Sequence, residues 1–322
     1  MKNNILIIGY GSIGRRHGKV LNDLGNQIAY VRTGKSTIKD DDFLMDKEIF
    51  YDLTKAVKEK DPMYVVDCSP TSFHFSNLCK LYDLKVNALV EKPLIINYKK
   101  EDEIAKLNEI ANSKSFKYGI AFQYRFHPII NKLRDTFKLL KEKQIVKGNI
   151  IWTEYLPEWH PWEDYKTSYA AKVILGGGSL LTMCHPFDYL NYIIGENNFC
   201  VRKLYNGRLD INVDQSSLIL CESNLTINPI EIYLDFDSKI RRHSISLEGK
   251  DWSLYANLFD NLIEFKSDNN DSFKINYGNL KRNILFQSLH EEYQGWIRGN
   301  KKFRNKLSTN LKLIEFLSSI KK

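Results

Sequence analysis

The sequence lacks the features that mark several large classes of protein. No apolar run approaches the length that a membrane-spanning helix needs. No basic arm, basic helix or zinc pattern accompanies the net charge of +8, which argues against nucleic acid as a partner. The cysteines are odd in number and show no C-x-x-C spacing, so we expect reduced thiols and no metal site. They are Cys68, Cys79, Cys184, Cys200 and Cys221.

These absences leave an ordinary globular composition, with 43% hydrophobic and 27% charged residues. The 322 residues are enough for two domains with a large buried core. The first residues run directly into an apolar strand and show no secretory signal, so the sequence predicts a cytoplasmic protein. The basic balance would favour an anionic small molecule as substrate or cofactor.

A glycine-rich turn near the start of the chain predicts a dinucleotide site. Ile5–Ile8 read as a buried parallel strand, and the next residues fit G-x-G-x-x-G before a helical apolar pattern. In this context the three glycines permit a tight turn, a close approach of backbone to pyrophosphate, and close helix packing. The helix N-terminus presents N–H groups to that pyrophosphate, although a turn without a ligand is the alternative. The predicted contacts are Gly9, Gly11, Ser12, Ile13 and Gly14.

The end of the second predicted strand favours NADP(H) over NAD(H). In NAD enzymes an acidic residue near this point holds the ribose hydroxyls. Here Ile28–Val31 is followed by Arg32, Thr33 and Lys35, and no carboxylate occurs before Asp40. Paired cations and a hydroxyl suit a 2′-phosphate. The alternatives are a solvated loop, or Arg32 stacking on adenine.

Two later strands end in further candidate cofactor residues. The strand predicted over 63–67 is followed by Ser69, Pro70 and His74, and ligands of a doubly wound sheet lie beyond the carboxyl ends of its strands. We therefore expect these three residues beside the cofactor, with His74 near the pocket at the start of a helix.

The next strand, predicted over 86–90, runs into Glu91, Lys92 and Pro93. A lysine at this position points into the cofactor crevice and can donate to a substrate oxygen. Partial burial and the positive nicotinamide ring both lower a lysine pKa, which makes Lys92 a usable proton shuttle. The alternative is a solvated lysine at the start of a helix.

The composition of the chain changes after residue 122. Up to that point strands and helices alternate, which predicts a parallel α/β sheet. From Ile145 short strands with polar connections predict a largely antiparallel sheet, and two helical stretches follow. The sequence therefore predicts an α/β protein with an NAD(P)-binding Rossmann domain over 1–122 and a second α/β domain over 123–322, to which the resemblance described below assigns substrate binding and oligomerisation.

A second group of chemically useful residues lies in the predicted second domain. His185 and Asp188 are three residues apart on a predicted helix, so they share a face, and a run of three glycines precedes them. A histidine can take a proton from a hydroxyl near neutral pH, although helical histidines are often structural. Aromatic planes and an arginine suit an anionic sugar, with interface packing as the alternative role for the aromatic residues. The candidates for this lining are Tyr124, Arg125, Trp162 and Tyr165.

With these segments in this order, the sequence resembles the Gfo/Idh/MocA oxidoreductases over nearly its whole length. The resemblance implies a Rossmann domain, a second domain with an open and mostly antiparallel sheet, and a nicotinamide cofactor. It implies sugars, inositols or nucleotide sugars as substrates, and dimers or tetramers formed by the sheets. The matching segments are Gly9–Gly14, Glu91-Lys92-Pro93, Tyr124-Arg125-Phe126, and Gly176-Gly177-Gly178 followed by His185 and Asp188.

Carried over by position, the resemblance makes Lys92 and His185 the active-site lysine and histidine. Thr182 stands where the family often has an aspartate. A threonine cannot act as a carboxylate but can bind a sugar hydroxyl, so proton transfer would depend on Lys92 and His185. The resulting prediction is an NAD(P)-dependent dehydrogenase or reductase acting on a sugar, sugar acid or nucleotide sugar. Two alternatives stay open: a glycosidase that oxidises its substrate transiently with NAD, and a cofactor-sensing binding protein without turnover.

Overall fold

The chain folds into two compact units. The computed structural model describes residues 3–32, 41–160, 163–268 and 271–320. One unit consists of Met1–Gln123 together with Arg282–Lys322, and the other is Tyr124–Lys281. Among the described residues, no helix has both the length and the apolar character required to cross a bilayer.

A parallel sheet of six strands forms the centre of the first unit. Its strands are β1 (Asn4–Ile8), β2 (Gln27–Val31), β3 (Glu48–Phe50), β4 (Tyr64–Asp67), β5 (Ala88–Val90) and β6 (Tyr118–Ile120). They lie in the order β3-β2-β1-β4-β5-β6, and every neighbouring pair is parallel. This is the doubly wound order of dinucleotide-binding folds, in which the ligand crevice opens where the strand order reverses, between β1 and β4. The predicted Rossmann domain is confirmed.

Five helices of the first unit alternate with these strands. They are α1 (Ser12–Asp23), α2 (Asp42–Met45), α3 (Leu53–Lys60), α4 (Thr71–Asp83) and α5 (Glu101–Ala111). Local chemistry fixes their ends. The Asp52 carboxylate accepts the Lys55 N–H at 2.6 Å and so caps α3. Gly25, with φ of +79°, adopts the left-handed conformation that ends α1.

A mixed but mostly antiparallel sheet of eight strands forms the second unit. Its strands are β7 (Lys147–Tyr155), β8 (Asn198–Tyr205), β9 (Ser216–Glu222), β10 (Ile230–Asp235), β11 (Asp237–Glu248), β12 (Trp252–Asn257), β13 (Leu262–Ser267) and β14 (Phe273–Asn276). Their order is β14-β13-β12-β11-β7-β10-β9-β8, and only the central β7–β10 pair is parallel. Along β10, Ile230, Ile232 and Leu234 are buried in alternation with more exposed residues, so one face of the strand carries the core.

Three helices belong to the second unit: α6 (Pro128–Leu139), α7 (Ser179–Thr182) and α8 (His185–Ile194). Pro128 occupies the first turn of α6, where its missing N–H costs nothing and its fixed φ suits the helix. The buried face of α6 packs against α8. This contact places the residues before α6 close to those at the start of α8.

The last two helices, α9 (Asn283–Ile297) and α10 (Leu311–Ser319), return to the first unit. The sequence prediction assigned all of 123–322 to the second domain, whereas the chain from Arg282 onward packs with the Rossmann sheet and its helices. Leu285, Phe286 and Leu289 form the buried face of α9, which lies against α1. The periodicity of a helix reveals an apolar face but not which sheet that face covers.

Candidate active site

The turn between β1 and α1 has the shape that a dinucleotide requires. Gly9 has φ of +89°, and a Cβ there would lie 2.9 Å from the Cys68 carbonyl oxygen. A Cβ on Gly14 would overlap the Gly9 carbonyl oxygen. At Gly11, no described atom lies within 4 Å of the Cβ position, so a ligand can approach the backbone closely. The predicted residues of this turn therefore lie together at the N-terminus of α1, where N–H groups suit a pyrophosphate: Gly9, Gly11, Ser12, Ile13 and Gly14.

A carboxylate that the sequence prediction overlooked lies beside this turn. Asp41 accepts a hydrogen bond from the Tyr10 hydroxyl and pairs with the Arg15 guanidinium. Burial alone would raise the pKa of Asp41, but hydrogen bonds from Tyr10 and from the Leu44 N–H, with the charge of Arg15, hold it below its ordinary value. The Arg32 guanidinium lies 5.8 Å from the centre of the Tyr10 ring. A carboxylate and two guanidinium groups, those of Asp41, Arg15 and Arg32, therefore lie around Tyr10 and the start of α1.

Three of the predicted site residues, Thr33, Lys35 and Trp162, lie outside the described residues. The preference for NADP(H) that was based on Arg32 and Lys35 therefore stays a prediction. The signal for Asp41 was present in the sequence, because Asp40–Asp42 is an acidic run. The spacing rule for the acidic residue of NAD enzymes counts residues along the chain, and Asp41 lies further from β2 than that rule expects.

His74 links the loops that follow β4 and β5. Its Nδ1 lies 2.9 Å from the Pro93 carbonyl oxygen, and its Nε2 lies 2.7 Å from the Ser69 carbonyl oxygen. Carbonyl oxygens only accept, so both ring nitrogens donate and the imidazole is cationic. The buried Asp67 carboxylate accepts the Ser69 N–H at 3.0 Å; burial raises the pKa of Asp67 and the His74 charge opposes that rise. His74 would therefore influence cofactor binding through the two loops that it holds, and not through a hydrogen bond of its own ring nitrogens.

The predicted cofactor residues Ser69 and Pro70 lie directly after β4, and Pro70 precedes the first turn of α4. Glu91 and Lys92 follow β5, the neighbouring parallel strand, and the Glu91 N–H donates to the Asp67 carbonyl at 2.9 Å. Parallel strands present their carboxyl ends at one edge of a sheet. The structure therefore brings the loops after β1, β4 and β5 to the same edge.

Glu91 is buried and serves as an internal acceptor. Its Oε1 lies 2.9 Å from His17 Nε2, and its Oε2 accepts the Lys92 backbone N–H at 3.1 Å. Burial alone would raise the pKa of Glu91, but the hydrogen bond from His17, the Lys92 charge and the Lys92 N–H hold it below its ordinary value. Lys92 itself is half-buried, and the Lys92–Pro93 peptide bond is cis. The side chain that the sequence assigned to the cofactor thus fixes the main chain of the candidate catalytic lysine.

In the second unit, Arg125 and Asp188 form a buried pair. Arg125 Nε lies 3.0 Å and Nη2 lies 2.7 Å from Asp188 Oδ1, and Nε also lies 3.1 Å from Oδ2. Burial raises the pKa of Asp188 to about 6, while the Arg125 charge opposes the rise. The sequence prediction assigned both residues to substrate and considered Asp188 as a partner of His185. In the structure the guanidinium and the carboxylate hold each other, which ties the segment before α6 to α8.

His185 lies in a group of four neighbouring rings, here called the aromatic cluster: Tyr124, Trp152, His185 and His243. Its ring centre is 4.7 Å from that of Tyr124 and 6.0 Å from that of Trp152. Trp152 and His243 are parallel at 4.3 Å, because they face each other across the β7–β11 pair. The sequence prediction included Tyr124 and His185 but missed Trp152 and His243, since nothing local indicates which strands pair.

The glycine run before His185 is held by Asp214. The Asp214 carbonyl accepts the Ser179 N–H at 2.8 Å, and its carboxylate accepts the Ser179 hydroxyl at 2.9 Å and the Leu180 N–H at 3.1 Å. Gly178, with φ of +108°, passes so close to Asp214 that a Cβ would overlap the carboxylate. These contacts fix α7, which carries the buried Thr182, just before His185 begins α8.

The remaining predicted residue, Tyr165, is half-buried in a short 3₁₀ turn, Tyr165–Thr167. In the part of the chain that the structure describes, no three His, Cys, Asp or Glu side chains form a group that would hold a metal ion.

Comparison with known proteins finds a family match in the N-terminal part of the chain. Residues 3–122 match the model of the GFO_IDH_MocA family, an oxidoreductase family with an NAD-binding Rossmann fold. YteT of Bacillus subtilis (strain 168) is 23% identical over 136 residues, which are 42% of this chain. The chain spans only 31% of the length of that curated relative.

Two solved structures resemble the whole chain. The UDP-N-acetylglucosamine 3-dehydrogenase GnnA from Acidithiobacillus ferrooxidans is 12% identical with a TM-score of 0.75, covering 100% of this chain and 97% of its own. The WlbA dehydrogenase from Bordetella pertussis, in complex with NADH and UDP-GlcNAcA, is 12% identical with a TM-score of 0.75, covering 99% of this chain and 95% of its own. At this identity the likeness shows the fold of both units.

Proposed function

We infer that this chain belongs to the Gfo/Idh/MocA oxidoreductase family through its NAD-binding residues 3–122. From this premise we propose that the protein transfers a hydride between a nicotinamide cofactor and a sugar carbon. The observation that carries the proposal is the edge of the parallel sheet at which the glycine turn and Lys92 both lie. The proposed substrate is a sugar, sugar acid or nucleotide sugar. The solved nucleotide-sugar dehydrogenases of the same fold support this class.

The proposed chemistry is a hydride transfer coupled to a proton transfer. The bound nicotinamide supplies a hydride donor or acceptor. The Lys92 ammonium donates to the reacting substrate oxygen and stabilises the charge that develops on it. His185 takes the proton of a substrate hydroxyl during oxidation, or returns it during reduction. The Thr182 hydroxyl binds a neighbouring sugar hydroxyl.

Substrate binding in this proposal depends on the aromatic cluster and on the Arg125–Asp188 pair. Ring faces such as that of Tyr124 pack on the C–H faces of sugars. Arg125 serves first to hold Asp188, so its proposed effect on an anionic substrate is through position and positive charge. Trp162 and Tyr165 keep their proposed places in the substrate lining.

NADP(H) is the proposed cofactor, in preference to NAD(H). Arg32 and Lys35 supply cations near the end of β2, and the carboxylate of Asp41 is bound by Tyr10 and Arg15. The test is a fluorescence titration of the protein with NADPH and with NADH. Tighter binding of NADPH, weakened in Arg32→Ser, is the expected result. Equal or tighter binding of NADH would contradict the preference and assign Asp41 to the ribose hydroxyls.

The decisive variant is Lys92→Met, compared with wild type on a panel of sugars, sugar acids and nucleotide sugars. General acid–base catalysis contributes about 10²- to 10⁴-fold, so we expect a loss of turnover in that range with unchanged cofactor affinity. Lys58→Met, which removes an exposed lysine of α3, is the matched control and keeps full turnover. Full activity in Lys92→Met would remove Lys92 from the mechanism.

The same assay separates the two alternative functions. Release of a labelled sugar without net change in NAD(P)H would indicate the glycosidase that oxidises its substrate transiently. Cofactor binding without turnover on any member of the panel would indicate the cofactor-sensing protein.

Assembly and location complete the proposal. We propose a homodimer or homotetramer formed through the open sheet of the second unit, and a cytoplasmic location consistent with free cysteine thiols. Light scattering of the purified protein tests the assembly, and a purely monomeric protein would contradict it.

A further inference from the structure

A continuous line of buried polar side chains crosses the first unit and ends at Lys92. We call it the histidine chain. Its links are Gln294 Nε2 to the Tyr64 hydroxyl at 3.4 Å, the Tyr64 hydroxyl to His290 Nδ1 at 2.9 Å, His290 Nε2 to His17 Nδ1 at 2.7 Å, and His17 Nε2 to Glu91 Oε1 at 2.9 Å. The second Glu91 oxygen accepts the Lys92 N–H. The members come from α9, β4, α1 and the loop after β5.

The direction of the hydrogen bonds is fixed at the end far from Lys92. The side-chain nitrogen of Asn26 donates to the Leu21 carbonyl at 2.9 Å, so its oxygen faces the other way and accepts from Gln294 Nε2 at 3.2 Å. Gln294 therefore presents its amide nitrogen, which has two protons, to both Asn26 and Tyr64. The Tyr64 oxygen is the acceptor of that link.

The rest of the histidine chain follows from this start. Because the Tyr64 oxygen already accepts from Gln294, its proton donates to His290 Nδ1. His290 then carries its proton on Nε2 and donates to His17 Nδ1. His17 in turn carries its proton on Nε2 and donates to Glu91. Every link points toward the carboxylate.

Burial makes every member of the histidine chain depend on a partner within the protein. His17, Tyr64 and His290 are 0% exposed and Glu91 is 4% exposed, so an unsatisfied polar atom among them would be costly. Burial lowers the pKa of His290 well below the ordinary imidazole value, which keeps that ring neutral. Arg16 of α1 interacts with Arg282, which directly precedes α9, and with Glu91: burial and the Arg282 charge lower the pKa of Arg16 to about 10, while the Glu91 charge opposes this.

We propose that the histidine chain positions the catalytic lysine: it holds Glu91 as an oriented carboxylate whose second oxygen fixes the Lys92 main chain. Tyr64 and His290 are positioning residues that act through Glu91 and do not touch the substrate. The catalytic consequence rests on the proposed function of Lys92. When hydrogen bonds in a series all point in one direction, each strengthens the next. The orientation of Glu91 therefore depends on His290 and Tyr64, which are two and three hydrogen bonds away from it.

An apolar core would serve stability at least as well as this line of polar groups. Buried networks are costly unless fully satisfied, and replacing them with packed apolar side chains is often neutral or favourable. The histidine chain satisfies each of its members, and it ends at Lys92, which the fold brings to the glycine-rich edge. Its position, and not its contribution to the free energy of unfolding, supports a role in orienting Lys92.

The test compares Tyr64→Phe with Tyr293→Phe. Both tyrosines are buried, their rings lie 5.0 Å apart, and the Tyr293 hydroxyl donates to the Lys117 carbonyl at 2.7 Å, outside the histidine chain. Each variant therefore removes one tyrosine hydroxyl from nearly the same place: Tyr64→Phe loses the bonds with His290 and Gln294, and Tyr293→Phe loses the bond with Lys117. Only Tyr64→Phe removes the proton donor of His290.

Two readouts need no substrate. Nitrogen-15 NMR of labelled histidines in the wild type is expected to show both His17 and His290 neutral with the proton on Nε2. Hydrogen exchange of the Lys92 amide, referred to that of Leu89 in β5, is expected to accelerate about tenfold in Tyr64→Phe and to stay unchanged in Tyr293→Phe. A cationic His17, or a proton on His290 Nδ1, would overturn the polarity; equal exchange in the two variants would overturn the positioning role.

The kinetic readout uses the substrate found for the proposed function. Tyr64→Phe is expected to lower kcat about tenfold, equivalent to about 1.4 kcal/mol in the barrier, with cofactor affinity unchanged. His290→Gln is the conservative variant, since its amide can accept from Tyr64 and donate to His17; we expect near wild-type kcat and Lys92 exchange. If Tyr64→Phe fails to fold, His290→Gln and His290→Leu make the same comparison.

The failures of the two proposals are distinguishable. Absence of turnover in the wild type, with the expected tautomers and exchange, would overturn the proposed function and leave the positioning of Lys92 intact. Turnover that is equal in Tyr64→Phe and Tyr293→Phe would overturn the positioning role and leave the proposed function intact.

Discussion

The two units bury histidines in different ways. In the first unit His17, His74 and His290 each have both ring nitrogens within hydrogen-bond distance of a protein acceptor or donor. In the second unit His185 and His243 are packed mainly by ring faces, in the aromatic cluster.

Hydrogen bonds at both nitrogens fix the protonation state of an imidazole as well as its place. Stacking holds a ring through its faces and does not by itself determine what the nitrogens do. The difference teaches that the first unit holds these histidines through hydrogen bonds, while the second holds His185 and His243 mainly through ring contacts. Replacement of each histidine by phenylalanine, which preserves a ring and removes the nitrogens, should separate these two uses.

The largest effect should come from His185→Phe. The variant keeps the ring contacts with Tyr124 and Trp152 but cannot exchange a proton. We expect turnover to fall about 10²- to 10⁴-fold, with the free energy of unfolding changed by about 1 kcal/mol or less. Steady-state kinetics and urea unfolding measure the two quantities. The comparison variant is His243→Phe, in the same cluster, which should change the KM for substrate but keep kcat; an equal loss of kcat in both variants would contradict the special role of His185.

In the first unit, His74→Phe should reduce stability more than any replacement in the aromatic cluster. It leaves the carbonyls of the half-buried Ser69 and the buried Pro93 without their donor, at about 1–3 kcal/mol for each unsatisfied group. We expect a loss of about 2–4 kcal/mol. Urea unfolding gives the value, with His243→Phe, which loses one hydrogen bond to Tyr189, expected to cost about 1 kcal/mol. Equal costs would show that bonded and stacked histidines do not differ as described.

The smallest expected effect is a dependence of the free energy of unfolding on pH, caused by His127 of the second unit. Burial lowers the pKa of His127 to about 4, against the opposing hydrogen bond with Asn261. The folded value lies below the unfolded one, about 6.5, so the stability from neutral His127 is present above pH 6.5 and is lost as the pH falls toward 4. Between pH 7 and pH 5 this loss is about 2 kcal/mol.

The matched variant for this effect is His127→Asn. An asparagine keeps an acceptor for the Ile129 N–H at the start of α6 but does not titrate in this range. Urea unfolding at pH 7 and pH 5 should show a decrease in the wild type that exceeds the variant's by about 2 kcal/mol. His290, whose pKa is also lowered, remains in both proteins and cancels, whereas the pKa of His243 is lowered by burial and by the His127 charge, so its smaller response is part of the same difference. Parallel decreases would contradict the assignment to His127.

The sequence predicted the fold well where the pattern is local. The apolar run before Gly9, the period of α1, and the cap of α3 by Asp52 each depend on residues within a few positions of one another. The alternation along β10 likewise indicates a strand with one buried face. The sequence pattern did not predict that α9 packs with the first unit, because an apolar helix face does not indicate which element it contacts.

The candidate site was predicted as a set of residues and not as a set of contacts. Gly9, Gly14 and Lys92 were found because their roles require particular residue types at particular positions. The Arg125–Asp188 pair and the Trp152–His243 stack join elements far apart in the chain, and no spacing rule indicates them. Asp41 was missed for a related reason, since a loop can bring a distant carboxylate back beside the glycine turn.

The discontinuity of the first unit also sets the order of events during synthesis. Residues 124–281 are made between its two segments. At about 5–20 residues per second, a ribosome needs roughly 8–30 s for that interval. During this time α1 has no α9 to cover it, and His17 has no His290 beside it. In the proposed arrangement, the loop that carries Lys92 acquires its final geometry only after α9 has left the exit tunnel. Until then the first unit exposes the apolar surface that its last helices will cover, and chaperones bind surfaces of this kind.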